Sequence, residues 1–411
     1  MSIFQEAKDD NCVMKLKVLI LSLGLLVPTT SALASAAPSP GSKCSKSGQT
    51  KIYKQRKFTC VKAGNKTVWN KGVQVKISKP NNTQSNSSPK DPSPTLPARP
   101  DRLTLDNLDP YWTQRIAMEK VNSYLRSLNA IKDVGKIISS PKTPKEYVQT
   151  ERTLLDKSVT LWSKYFMNEN MKIVIFTNED SDWADSALIE HGGSFPNKVS
   201  DEIKKQSQFN CNFGFATLAD QGRTPIYYMC NDLRGRKSSD THNTPHEYFH
   251  LVQQKLVWAN GFQEFPVWLH EGSATFFGTA VGFFDDDPTG KKSLDFYKEL
   301  YWQYDPDNTG VRNFERLKGV LSSISPEGAV KLYEPLEKTQ TNNSNLHLFG
   351  HYALGAIATE ALVAVYGFET YMEFMQDFSK RNDWKANFEN RFGLSIQDFY
   401  KKLAPYLRTK A

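Results

Sequence analysis

The chain has 411 residues, 39% of them hydrophobic, with 52 Lys or Arg against 44 Asp or Glu and a formal net charge of +8. The charge is uneven: residues 37–90 hold twelve basic side chains and no acidic one, residues 1–36 hold three of each, and residues 91–411 are left at −4. Basicity thus belongs to the N-terminal part, and a nucleic-acid-binding body is set aside for the rest, which has no recognisable fold of that kind.

Residues 15–36 combine Lys15 and Lys17, an apolar run from Val18 to Val27, and small-residue sites at Ala32-Leu33-Ala34 and Ala34-Ser35-Ala36. This is the pattern of a secretory signal peptide, read as residues 1–36. The polar, acidic residues before Met14 are unlike a signal, so Met14 is the expected start. The apolar run is short for a bilayer span. Of five cysteines, Cys12 lies upstream of the signal core, and the others form two local pairs, Cys44 with Cys60 and Cys211 with Cys230. Both pairs are expected as disulfides of an oxidising compartment. Zinc held by cysteines is disfavoured, because the C-x-x-C spacing is lacking.

Residues 37–80 are too few for a large core, so they predict a small basic module built as a disulfide-clipped β-hairpin, with Trp69 in its core. Residues 81–102, rich in Pro, Ser and Asn, predict an extended linker. The evenly spread lysines suit either a solvated tail or attraction to an anionic cell-envelope polymer or membrane surface.

Residues 103–411 suit one two-lobed unit. Helical periodicity marks Tyr111 to Leu128 and Glu146 to Phe166, and continuous apolar runs mark strands at Met171 to Thr177, Phe213 to Ala219 and Ile226 to Cys230. Beyond His246 the pattern is mainly helical, at 266–282, 291–304, 346–366, 369–380 and 395–407. The fold class expected is α+β, a mixed sheet followed by a helical lobe. Asp305-Pro306-Asp307 begins like a calcium loop, but Arg316 stands where that loop needs a bidentate glutamate. Asp285-Asp286-Asp287 reads as a solvated loop.

One segment carries chemistry. His246-Glu247-Tyr248-Phe249-His250 places two imidazoles four residues apart, on one helix face, with a carboxylate beside them. A loop marked by Asn260-Gly261 and Pro266 leads to Trp268-Leu269-His270-Glu271-Gly272, where Glu271 offers a third ligand. Two histidines and a glutamate suit a catalytic zinc that keeps one position for water, with Glu247 as the general base. His270 is expected to point about 100° away from Glu271 and is read as structural or as a substrate contact. Thr275, one turn after Glu271, is a polar candidate for orienting the ligands. His191, His242 and His347 carry little signal.

These blocks resemble the gluzincins, specifically the peptidase MA-like proteins related to thermolysin and aminopeptidase N. The resemblance spans about residues 103–405, but only three blocks are specific: HExxH, the W-L-x-E-G-x-A block at Trp268 to Ala274, and Tyr352-Ala353-Leu354-Gly355-Ala356, which is similar to the family's Y-x-x-G-A helix. It implies a gluzincin-like two-lobed domain, Glu271 as zinc ligand, and Tyr352 as hydroxyl donor to a tetrahedral oxyanion. His351 is then either a second donor or a residue behind the ligands. The Gly-x-Met-Glu-Asn segment of the aminopeptidases is absent, and the stretch between Glu271 and Tyr352 is longer than in them, which favours endopeptidase action. The expectation is a secreted zinc metallopeptidase acting on peptides or proteins. Its rivals are an envelope-associated binding protein with a silent domain, and a zinc amidase acting on a cell-wall cross-link.

Overall fold

The computed structural model describes residues 39–53, 56–74, 97–191, 212–218, 224–231, 241–257, 265–283, 291–309, 313–339 and 349–411. Residues 1–38, most of the expected linker, Cys211, Asp285–Asp287 and His347 lie outside the described residues, so the expected Cys211–Cys230 pairing does too. The chain divides into two units, residues 1–94 and 95–411.

In the first unit the expected hairpin is a four-stranded antiparallel sheet. Strand β2 (Arg56–Ala63) pairs with β1 (Thr50–Tyr53), β3 (Lys66–Trp69) and the two-residue β4 (Val73–Gln74). Cys60 faces Trp69 across the β2/β3 register and bonds to Cys44, with Cα atoms 5.9 Å apart. Phe58 and Trp69 complete a four-residue core with the two cysteines. A core this small is insufficient alone, and closing the 16-residue separation adds about 3 kcal/mol by restricting the unfolded chain.

The second unit holds a mixed four-stranded sheet in the order β5-β6-β8-β7. Strands β5 (Lys136–Ser139), β6 (Lys172–Thr177) and β8 (Thr224–Asn231) run parallel, while β7 (Asn212–Leu218) is antiparallel to β8. The sequence pattern omits β5, four residues that gain strand character by pairing Ile137 with Ile173 of β6. Helices α1 (Trp112–Ser127), α2 (Lys145–Trp162) and α3 (Ser181–Glu190) accompany the sheet.

Helix α4 (Asn243–Leu256) carries HExxH and is buried on every side from Thr244 to Gln253. Its Tyr248 and Phe249 lie against Trp162 of α2, with ring centroids 5.8 and 5.3 Å apart. Gln254 and Lys255 close α4 on its outer end, where burial gives way to exposure.

The predicted helix 266–282 is two elements, a π-helical turn at Trp268–Gly272 followed by α5 (Ser273–Gly282). The helical lobe continues with α6 (Lys291–Glu299), α7 (Phe314–Ser322), α8 (Pro326–Tyr333), α9 (His351–Tyr366), α10 (Phe368–Asp377), α11 (Trp384–Phe392) and α12 (Ile396–Arg408). Helix α9 starts at His351 rather than 346, after Gly350 at φ +70°. Among the described residues no single helix is long and apolar enough to cross a membrane. The acidic loop near Asp305 is tied by Arg316, whose guanidinium meets Asp305 at 2.7 Å and also reaches Asp307.

Two glycines decide how α9 sits. A Cβ on Gly272 would stand 2.2 Å from Gly355 Cα, and one on Gly355 would stand 2.3 Å from the Trp268 carbonyl oxygen. No larger residue fits this backbone crossing without parting the elements. The crossing brings the first turn of α9 onto the turn that carries Glu271.

Candidate metal centre

His246 and His250 share one face of α4 as their spacing requires, and their Nε2 atoms are 3.0 Å apart. Glu271 Oε2 lies 3.6 Å from His246 Nε2 and 3.3 Å from His250 Nε2. Ligand atoms on one tetrahedral zinc are about 3.3 Å from one another, given bonds of about 2.0–2.1 Å. The three donors therefore form a triangle of the size that one such ion needs. All three residues are buried, and among the described residues they are the group of three metal-ligating side chains that converge.

The metal-free cluster is strongly polarised. Burial alone would pull His250 down, but the Glu271 charge and hydrogen bond, with help from Glu247 and Gln253, raise it to about 9. Burial pushes Glu271 up, yet the His250 charge and the hydrogen bonds from His246 and His250 hold it well below the usual carboxylate range. A carboxylate and an imidazole that both favour their ionised forms here describe a pocket built for an extra positive charge.

Glu247, on the neighbouring face of α4, reaches toward β7. Burial pushes its carboxyl upward, the charges of His246 and His250 oppose that, Glu271 adds to it, and the Ala216 N–H donates to it; the net shift is upward. A Cβ on Gly214 would lie 2.7 Å from Glu247 Oε1, so only glycine leaves that space to the carboxylate. A raised carboxyl poised as a proton acceptor suits general-base work.

Tyr352 opens α9 above the pocket. Its ring is stacked 6.2 Å from that of His246, and its phenol feels the Glu271 carboxylate. Burial first, then the charges of Glu271 and Glu247, push the phenol well above its usual range, so it remains a donor. His351, almost wholly buried, lies with its ring 4.4 Å from the Tyr352 ring.

His270 is not among the three converging donors; its Nδ1 is 3.4 Å from Glu271 Oε1 and its ring 4.4 Å from that of His250. Burial, against the pull of Glu271 and with the charges of His250, His246 and His351, lowers His270 to about 3, so it sits beside the triad as a neutral ring. Thr275 donates its hydroxyl to the Glu271 backbone carbonyl at 2.8 Å, steadying the turn rather than a ligand side chain. The residue that does meet a ligand ring is Gln253, which the sequence reading passed over. Its signal was the i, i+3 spacing from His250, which puts both on one helix face.

Comparison of the chain with protein-family models, with curated proteins and with solved structures finds no match.

Proposed function

We propose that this chain is an exported zinc-dependent peptidase that cuts within peptide chains. The observation that carries the reading is the convergence of His246, His250 and Glu271, with the Glu247 carboxylate held beside them on the Ala216 N–H. Two imidazoles and one carboxylate can hold zinc or iron, and the general-base Glu247 inside HExxH together with the resemblance to gluzincins selects zinc. Bound there, zinc would polarise the scissile carbonyl and acidify water.

The chain's own groups do the rest. Glu247 takes the proton of the attacking water and delivers it to the leaving amine. Tyr352 donates its hydroxyl to the oxyanion as charge develops. Strand β7, paired with β8 alone among the described strands, offers an open edge to the main chain of an extended substrate. The Cys44–Cys60 disulfide and the signal-like residues 15–36 support export.

The test is digestion of a mixed peptide library by zinc-loaded residues 37–411, read by mass spectrometry against Glu247→Gln. Internal cuts made by the wild type alone are expected, with both proteins holding equal zinc by elemental analysis. Terminal trimming would overturn endopeptidase action. No cut from a zinc-loaded wild type would refute the peptidase reading and favour a cell-wall amide as substrate or a silent domain.

A second reading concerns the first unit, for which we infer an anionic partner such as a phosphate-bearing envelope polymer. Lys43, Lys46, Arg56, Lys57, Lys62, Lys66 and Lys71 are all exposed, and the module has no acidic residue to neutralise them. The full chain should bind polyphosphate with an affinity that falls steeply with salt. Changing Lys43, Lys46, Lys62 and Lys66 together to Gln should reduce that binding at least tenfold, and unchanged binding would exclude the module as the site.

A further inference from the structure

Gln253 lies one turn beyond the second ligand on α4 and is fully buried. Its Oε1 is 2.8 Å from His250 Nδ1, while its Nε2 is 3.2 Å from the Leu269 carbonyl, 2.9 Å from the His270 carbonyl and 3.0 Å from Ser273 Oγ. An amide has one accepting end and one donating end. Backbone carbonyls only accept, so two of them facing one amide atom assign it as the NH2, and the oxygen must face the histidine.

That assignment fixes the imidazole. With a carbonyl oxygen opposite Nδ1, Nδ1 carries a hydrogen, so Nε2, which faces His246 Nε2 and Glu271 Oε2, is the nitrogen that can give its lone pair to a metal once its own proton leaves. The other end of the same amide captures the Leu269 and His270 carbonyls of the π-turn, the first of which also accepts from the Ser273 N–H. The Ser273 hydroxyl, which also donates to the Leu269 carbonyl, closes the same knot.

We propose that Gln253 is a positioning residue that couples the two ligand-bearing segments: one amide sets the tautomer and direction of His250 and holds the turn that delivers Glu271. The inference rests on the metal-centre reading above and adds a division of labour that only a side chain with both ends can perform. Glutamate in its place would still accept from His250 but would face two carbonyls without a donor. Leucine would fill the space and do neither.

The experiment compares the full exported chain with Gln253→Leu and Gln253→Glu, using Zn2+ itself as the probe. Zinc dissociation constants come from competition with a chromophoric chelator, and melting temperatures are taken for the metal-free proteins. Gln253→Leu should bind zinc 10- to 100-fold more weakly. Gln253→Glu should stay within about threefold of wild type in zinc affinity, yet melt lower when metal-free. Equal zinc affinity in wild type and Gln253→Leu overturns the proposal, as does a Gln253→Glu protein whose metal-free melting is unchanged.

Should Gln253→Leu fail to fold, 15N NMR of the zinc-loaded wild type decides: His250 protonated at Nδ1 supports the assignment, and His250 bound to zinc through Nδ1 refutes it. A wild type that binds no zinc refutes the metal centre itself, which is a different result from any of these.

Discussion

Replacing Gly355 by alanine tests the crossing between α9 and the Glu271 turn. The added Cβ would stand 2.3 Å from the Trp268 carbonyl oxygen and 2.7 Å from Gly272 Cα, both backbone atoms with no rotamer to yield. Restoring ordinary contact requires the two elements to part by about 1 Å. Overpacking of this kind costs about 1–3 kcal/mol, equivalent to a melting-temperature drop of roughly 1.5–5 °C in a unit of this size. Three residues earlier on α9, Tyr352 would move with its helix, and a displacement of about 1 Å at a reacting centre costs about a hundredfold in turnover. Calorimetry of the metal-free protein and peptidase kcat are the two readouts. The internal control is Gly319, on the exposed face of α7, where a Cβ would meet nothing within 4 Å. Gly319→Ala should stabilise by about 0.5–1 kcal/mol. A Gly355→Ala protein that melts with the wild type would refute the close-approach argument.

Other perturbations reach other parts of the site and core. In the metal-free protein the raised His250 contributes stability that is complete below its ordinary value of 6.5 and is lost as pH rises through about 9. Zinc must displace that proton, so the melting gap between zinc-loaded and metal-free protein should widen from pH 6.5 to 9, and a flat gap would contradict the assignment. Tyr352→Phe should lower kcat by about 10²–10³ with zinc content and KM little changed; a wild-type kcat would remove Tyr352 from the mechanism. Lys410 and Glu360 form a buried ion pair at 2.8 Å, with the Tyr406 hydroxyl donating to the same carboxylate oxygen at 2.6 Å. Lys410→Met should cost about 3–5 kcal/mol in chemical denaturation by stranding the carboxylate, and adding Glu360→Gln should recover most of it. Equal losses in the single and double variants would deny the coupling.

The ligand helix was legible because its chemistry and its geometry share one period: histidines four apart define a helix face whatever surrounds them. The turn bearing Glu271 was legible as a ligand segment but not as a π-turn. Its backbone geometry is tied to the capture of the Leu269 and His270 carbonyls by Gln253, a contact between segments that no local pattern encodes. Strand β5 has four residues and depends on its neighbour, so its own sequence is weakly informative. Helices α7, α8 and α11 were missed although each has a readable start: Asn313, Ser325 before Pro326, and Asp383 all accept from backbone N–H groups of the first turn. Their caps carried more signal than their short apolar faces. In the first unit the cysteine spacing disclosed the disulfide, whereas the two-residue β4 was too short to announce itself.

The packing of Trp162 bears on whether the stretch before the HExxH helix could be cut away. This indole is wholly buried, and around it lie Tyr248 and Phe249 from the ligand helix and Phe277 from α5. Residues 103–165 are therefore the floor beneath the histidines, not a detachable prodomain. Proteolytic removal of that stretch would strip the aromatic support from the face of α4 opposite the ligands and expose a core whose single large side chains are each worth about 3–5 kcal/mol. Any zymogen control of this chain has to act from outside these helices, at the cleft or through the residues that precede them.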